Sequence, residues 1–150
     1  MNRERIEQCI DMMKRAKNLN MLTFQGCKDE NPVCDNISQL HACGNTACFA
    51  GYLAISDFFK RAGGEVSETG SGAPVYTPLY DTGYGWEHRG SSAVAEFLGI
   101  GYEIASDIVN GINESEQEGS YCSFYGKDFG DVTPEDVIQK LQMILDGELQ

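Results

Sequence analysis

The chain is first defined by what it lacks. No run approaches the roughly 18 uninterrupted apolar residues that span a bilayer. The opening Met-Asn-Arg-Glu-Arg leads directly into a charged amphipathic stretch with no apolar signal core. A cytosolic protein is expected. No Cys-x-x-Cys pair occurs, which removes the commonest zinc and dithiol motifs, and no internal repeat or low-complexity tract is visible. Histidine is limited to two residues and tryptophan to one. Bases are scarcest in residues 91–150, where two stand against twelve acids, a net of −10. A field of that sign repels DNA, RNA and anionic membrane surfaces, so direct nucleic-acid or membrane binding through broad phosphate contact is not expected.

What is present fits one domain over residues 1–150, long enough to bury roughly two thirds of its unfolded surface. The overall charge is −12, while residues 1–17 carry five bases and three acids. The acidic remainder keeps a small protein soluble and could also attract a basic partner. Six cysteines (Cys9, Cys27, Cys34, Cys43, Cys48 and Cys122) would suit a disulfide framework in a secreted mini-protein. A chain with this much core and no export signal points instead to reduced thiols.

Periodicity predicts helices in several places. Asn2 can cap a first helix whose Ile6, Cys9, Ile10, Met13 and Ala16 or Lys17 form one buried stripe. A second is predicted to begin with Thr46 as cap, to bury Ala47, Ala50, Gly51, Ala54 and Phe58, and to close at Arg61-Ala-Gly-Gly64. Ser91 or Ser92 caps a third that ends at Gly99, and Tyr102–Asn110 forms a helical hairpin with it. Thr133-Pro-Glu-Asp136 starts the last, which buries Val137, Ile138, Leu141, Ile144 and Leu145. Residues 20–40 read as irregular, with a helical turn near Ile37–Leu40, and the acidic 113–119 run as a solvated loop. Residues 63–90 show no helical period. A Gly- and Tyr-rich loop of that length is usually functional or disordered, and its aromatics argue against disorder; Val75-Tyr76 and Leu79-Tyr80 are candidates for a small β-hairpin. The expected fold is mainly α, about five helices in one compact domain.

The densest segment is His41-Ala-Cys-Gly-Asn-Thr-Ala-Cys-Phe-Ala-Gly-Tyr52. Together with Ala95-Glu-Phe-Leu-Gly-Ile100, Ala105 and Ile108 it resembles an uncharacterised group of small phage and bacterial proteins. They share a Cys-Gly-Thr turn, a second cysteine, a small apolar pair with glycine and an aromatic, then a leucine-glycine helical hairpin. The likeness covers about half the chain, with Asn45 inserted between Gly44 and Thr46 relative to the pattern. It implies a phage or mobile-element origin and supplies no activity.

Three chemistries suit the segment. Cys27, Cys34, His41 and Cys43 could serve as zinc ligands, but their spacing matches no familiar zinc knuckle or ribbon, so neither metal nor cofactor is expected. Cys43 beside His41 could act as a nucleophile, yet no oxyanion donor or orienting acid is identifiable, so no catalytic residue is assigned. Gly44, Asn45 and Thr46 could expose backbone amides at a helix start to an anion. In that arrangement Tyr84 and Trp86 would stack on a base, and His88 and Arg89 would meet anionic oxygens. Arg89 is the only Lys or Arg between Arg61 and Lys127. The aromatics serve equally well to pin the loop to the core.

The expected function is that of a non-enzymatic binding protein, a phage or mobile-element accessory that blocks a host component in the bacterial cytosol. In one version the acidic C-terminal surface engages a host protein with a basic patch. In the other, the motif and loop sequester a small nucleotide-like anion.

Overall fold

A computed structural model describes residues 1–21, 25–26, 34–41, 45–67, 72–80, 83–110 and 121–150. The two longest helices form where local signals are strongest. Asn2 Oδ1 accepts from the Arg5 N–H at 3.1 Å and starts α1 (Arg3–Lys14), which buries Ile6, Cys9, Ile10, Met12 and Met13. This satisfies one of the amides that a helix start leaves open. Near the other terminus α7 (Pro134–Leu145) opens on a capping box. Thr133 Oγ1 accepts from the Asp136 N–H, and Asp136 Oδ2 accepts from the Thr133 N–H at 2.7 Å. The two helices pack against each other.

The middle of the chain departs from the expected pattern. Gln25–Gly26 (β1) pairs antiparallel with Thr46–Ala47 (β2), so the segment expected to begin a helix is a strand. Asn36 caps the short α2 (Ile37–Leu40), accepting from the Gln39 N–H at 2.9 Å. Helix α3 (Phe49–Ile55) is buried along its whole length. It stops at Ser56, which is extended at φ −71° and ψ 141° and donates its hydroxyl to the Leu53 carbonyl at 2.7 Å. A separate helix α4 (Asp57–Arg61) follows. The one long helix expected here is thus two short ones, the first of them capped at Cys48, two residues later than expected.

Residues 63–90 hold most of the remaining β-structure. Gly64–Val66 (β3), Pro74–Tyr76 (β4) and His88–Arg89 (β7) form a three-stranded antiparallel sheet in the order β3-β4-β7. Leu79–Tyr80 (β5) pairs with Gly83–Tyr84 (β6). The expected pairing of Val75-Tyr76 with Leu79-Tyr80 is therefore corrected: each belongs to a different sheet. Gly64 lets this sheet approach α4, since a Cβ there would collide with the Phe59 ring.

Helices α5 (Ser91–Leu98) and α6 (Tyr102–Asn110) form the expected hairpin, turned by Gly99 in the left-handed region at φ 64°. The serine cap is not used. Gly90 stands at the cap position, and Ser92 Oγ lies 2.8 Å from His88 Nδ1. Tyr121–Cys122 (β8) pairs with Lys127–Asp128 (β9), followed by a 3₁₀ turn at Phe129–Asp131. The 113–119 acidic run lies outside the described residues.

The fold is mixed α and β rather than mainly α. Among the described residues there are seven α-helices, five of them seven residues or longer, with one three-stranded sheet and three two-stranded pairs. One buried cluster draws on α1, α3, α5, α6 and α7, and Tyr76 of β4 joins it. Phe59, Tyr76 and Phe97 meet edge-on within it, at 4.9 Å for Phe59–Phe97 and 5.4 Å for Tyr76–Phe97. Arg5 closes one side. Its Nη1 donates to the Phe97 carbonyl at 2.9 Å and to the Tyr76 hydroxyl at 3.2 Å, while Cζ lies 4.4 Å from the Phe97 ring centroid. No helix among the described residues is long and apolar enough to cross a membrane.

Candidate functional site

The turn expected to hold an anion is organised for other contacts. Asn45 Nδ2 donates to the Gln39 carbonyl at 2.8 Å. Ala47 donates its N–H to the Asn18 carbonyl at 3.1 Å, and its carbonyl accepts from the Asn20 N–H at 2.9 Å. Thr46 pairs with Gly26 in the ladder. These bonds fix the segment as a strand, and the helix begins only at Phe49. Gly44 and Cys43 lie outside the described residues, as does Cys27. Cys48 is buried at the helix start. Burial pushes its thiol up to about 11, and the backbone amides of Gly51 and Ala50 offset that only in part. A thiol so protonated at neutral pH is a packing group rather than a nucleophile.

On the loop, the expected residues face different neighbours. Trp86 is 87% exposed. His88 and Arg89 lie in β7, where His88 reaches Ser92 and Arg89 Nε donates to Glu87 Oε1 at 2.7 Å. The Glu87 carboxylate neutralises the one cation this loop offers to an anion. Tyr84 is in β6; its side chain lies outside the described residues. Among the described side chains of residues 63–90, Tyr76 is the aromatic that joins the buried core.

Of the four metal-ligand candidates, Cys34 and His41 are described. Among the described residues no group of three or more His, Cys, Asp or Glu is gathered as a metal site. Cys34 is buried. His41 leans on Tyr52, with ring centroids 5.9 Å apart and planes tilted by 56°. The Tyr52 hydroxyl accepts from the backbone N–H groups of Lys17 and Asn18 at 3.2 and 3.1 Å. His41 Nε2 is shut off from solvent and has no hydrogen-bond partner among the described residues. Burial, and then the Lys17 ammonium, hold the imidazole below its usual pKa.

The acidic segment is sharpened by folding. Both of its lysines are engaged internally. Lys127 Nζ donates to Asp136 Oδ1 and Oδ2 at 2.9 and 2.8 Å, bracing the carboxylate that caps α7. Lys140 Nζ sits 4.7 Å from the Phe124 ring centroid. Among the described residues six acids of the same segment are exposed: Glu103, Asp128, Asp131, Glu135, Asp146 and Glu148. Among the described residues, then, the fully exposed charges of this segment are all negative, because the two bases are half-buried in structural contacts.

No family model, curated protein or solved structure matches the chain. Function is therefore argued from the chain's own residues. Two features escaped sequence reading. The Lys127–Asp136 bond joins residues nine apart across a strand, a turn and a helix start, so no local pattern announces it. Lys17 reads as a candidate end of the first buried stripe and Arg61 as a helix-end charge, yet both are exposed and the fold brings them with Arg15 to one cleft beside His41.

Proposed function

We propose that this is a non-enzymatic binding protein, an accessory of a phage or mobile element, that engages and blocks a basic host protein in the bacterial cytosol. The observation that supports this reading is the state of residues 91–150: six exposed acids among the described residues, with both lysines half-buried in internal contacts. A surface of one sign attracts an oppositely charged partner over about a Debye length, roughly 8 Å at physiological salt, and rejects like-charged ones. The origin rests on the resemblance carried by Cys43 to Ala54 and the α5–α6 hairpin. The test is affinity capture from a bacterial lysate, using the natural chain and a variant carrying Asp128→Lys, Asp146→Lys and Glu148→Lys. The natural chain is expected to hold a basic protein that high salt releases, and the variant to hold none of it. Capture that survives the charge reversal, or that salt does not weaken, overturns the reading.

A further inference from the structure

A cleft of about 480 Å³ lies between the C-terminal end of α1, the α2 segment and α4. Its size falls within the roughly 300–1,000 Å³ typical of small-molecule sites. Its charge is the reverse of the protein's. Arg15, Lys17 and Arg61 line it against one acid, Asp57, in a chain whose formal net charge is −12. Among the described residues none of the three bases forms an ion pair, whereas neighbouring Lys14 is paired with Asp11 at 3.0 Å. Arg15 donates Nε to the Asp11 carbonyl at 3.2 Å, which leaves the rest of its guanidinium available.

Helix ends account for part of this. Arg15 follows the last turn of α1 and Arg61 lies in the last turn of α4, where positive charge complements the helix dipole. Dipoles do not account for His41. The residue lines the same cleft, while its Nε2 is closed to solvent and without a hydrogen-bond partner among the described residues. A buried polar atom left unsatisfied is destabilising, and a slight turn of the ring would bring it to a ligand oxygen in the cleft. Met12, Ile37 and Phe58 supply an apolar wall beside these polar groups.

We propose that this cleft binds a small organic phosphate, its phosphate held by Arg15, Lys17, Arg61 and His41 and its organic body laid against Met12, Ile37 and Phe58. Three bases and one acid leave two positive charges, which match a phosphate monoester dianion. Arginine forks and a lysine ammonium are the side chains that suit such oxygens. Asp57 supplies an acceptor for a hydroxyl or amino group on the body. The site is distinct from the acidic surface and goes beyond the protein-binding role.

The chain's two histidines make the test direct. His41 reports on the cleft, and His88, which contacts Ser92, serves as an internal reference. In NMR titrations of the full chain, adenosine monophosphate is expected to shift the His41 ring signals saturably and to leave His88 in place. Inorganic phosphate should do the same roughly tenfold more weakly, and chloride at matched ionic strength should have no such effect. Lys17→Ala and Arg61→Ala, both at exposed positions, should each weaken the response at least about tenfold. Lys14→Ala removes the same charge outside the cleft and should leave it intact. An unmoved His41, a chloride response equal to that of the nucleotide, or equal losses in the Lys14 and Lys17 variants would overturn the site. Nucleotide binding no tighter than that of inorganic phosphate would overturn the role of the apolar wall.

Discussion

Residues 91–150 and the cleft beside His41 treat their bases in opposite ways. In the acidic segment Lys127 and Lys140 are drawn into the fold, one onto the capping carboxylate of α7 and the other over Phe124. In the cleft Arg15, Lys17 and Arg61 stand without ion-pair partners among the described residues and share a wall with one acid. Arg5, in the same helix as the cleft's approach, belongs with the first kind, fixed between Tyr76 and Phe97. Net charge therefore says little about what a surface offers. What matters is which charges the fold already uses.

Breaking this contrast should have graded effects. Arg5→Met is expected to cost the most, about 2–3 kcal/mol in urea unfolding, because it removes two hydrogen bonds from a charged donor and the stacking on Phe97. A loss under about 0.5 kcal/mol would place Arg5 with the unused bases instead. Asp136→Asn comes next, at about 1–2 kcal/mol, combining a weakened cap with an ion pair discounted because Lys127 is 35% exposed. Here the pH dependence has a definite sign. Burial pushes the Asp136 carboxyl up, but Lys127 and Thr133 more than offset this and hold it below 3.8. Its contribution is then complete above about pH 4 and fades as pH falls through the lowered folded value. An acid-unfolding profile of the variant should be flatter in that window, and an unchanged profile would contradict the assignment.

At the other end of the scale, Lys17→Ala and Arg61→Ala should leave the urea midpoint unchanged, since neither base makes an ion pair among the described residues. A clear fall in midpoint for either would show that it is structural after all. Smallest of all should be Trp86→Ala. With 87% of its surface exposed, Trp86 packs little, and neither stability nor cleft binding is expected to change. Loss of nucleotide binding in that variant would return the ligand to the loop.

The contrast also shows which parts of the molecule could be read from sequence. Asn2, Gly99 and Thr133-Pro-Glu-Asp136 act through residues within a few positions of themselves, and each does what its pattern predicts. Thr46-Ala47 has a local pattern that suits a helix start, but bonds to Asn18, Asn20 and β1 override it. Strands of two or three residues cannot display a period of two, so of the sheet spanning β3, β4 and β7 only Val75-Tyr76 reads as a strand, and with the wrong partner. The same limit governs the sites. The acidic segment is visible as composition, and its sharpening by Lys127 and Lys140 is not. The cleft joins positions 15, 17, 41 and 61, which only folding brings together.

The account rests on the two charged surfaces having separate roles, and one capture experiment tests that directly. Lysate binding should be compared for the natural chain, the Asp128→Lys, Asp146→Lys, Glu148→Lys variant and a Lys17→Ala, Arg61→Ala variant. The predicted result is that the natural chain and the cleft variant retain the same salt-released basic protein while the charge-reversed variant retains none. Retention by the charge-reversed variant, or loss in the cleft variant, would contradict it.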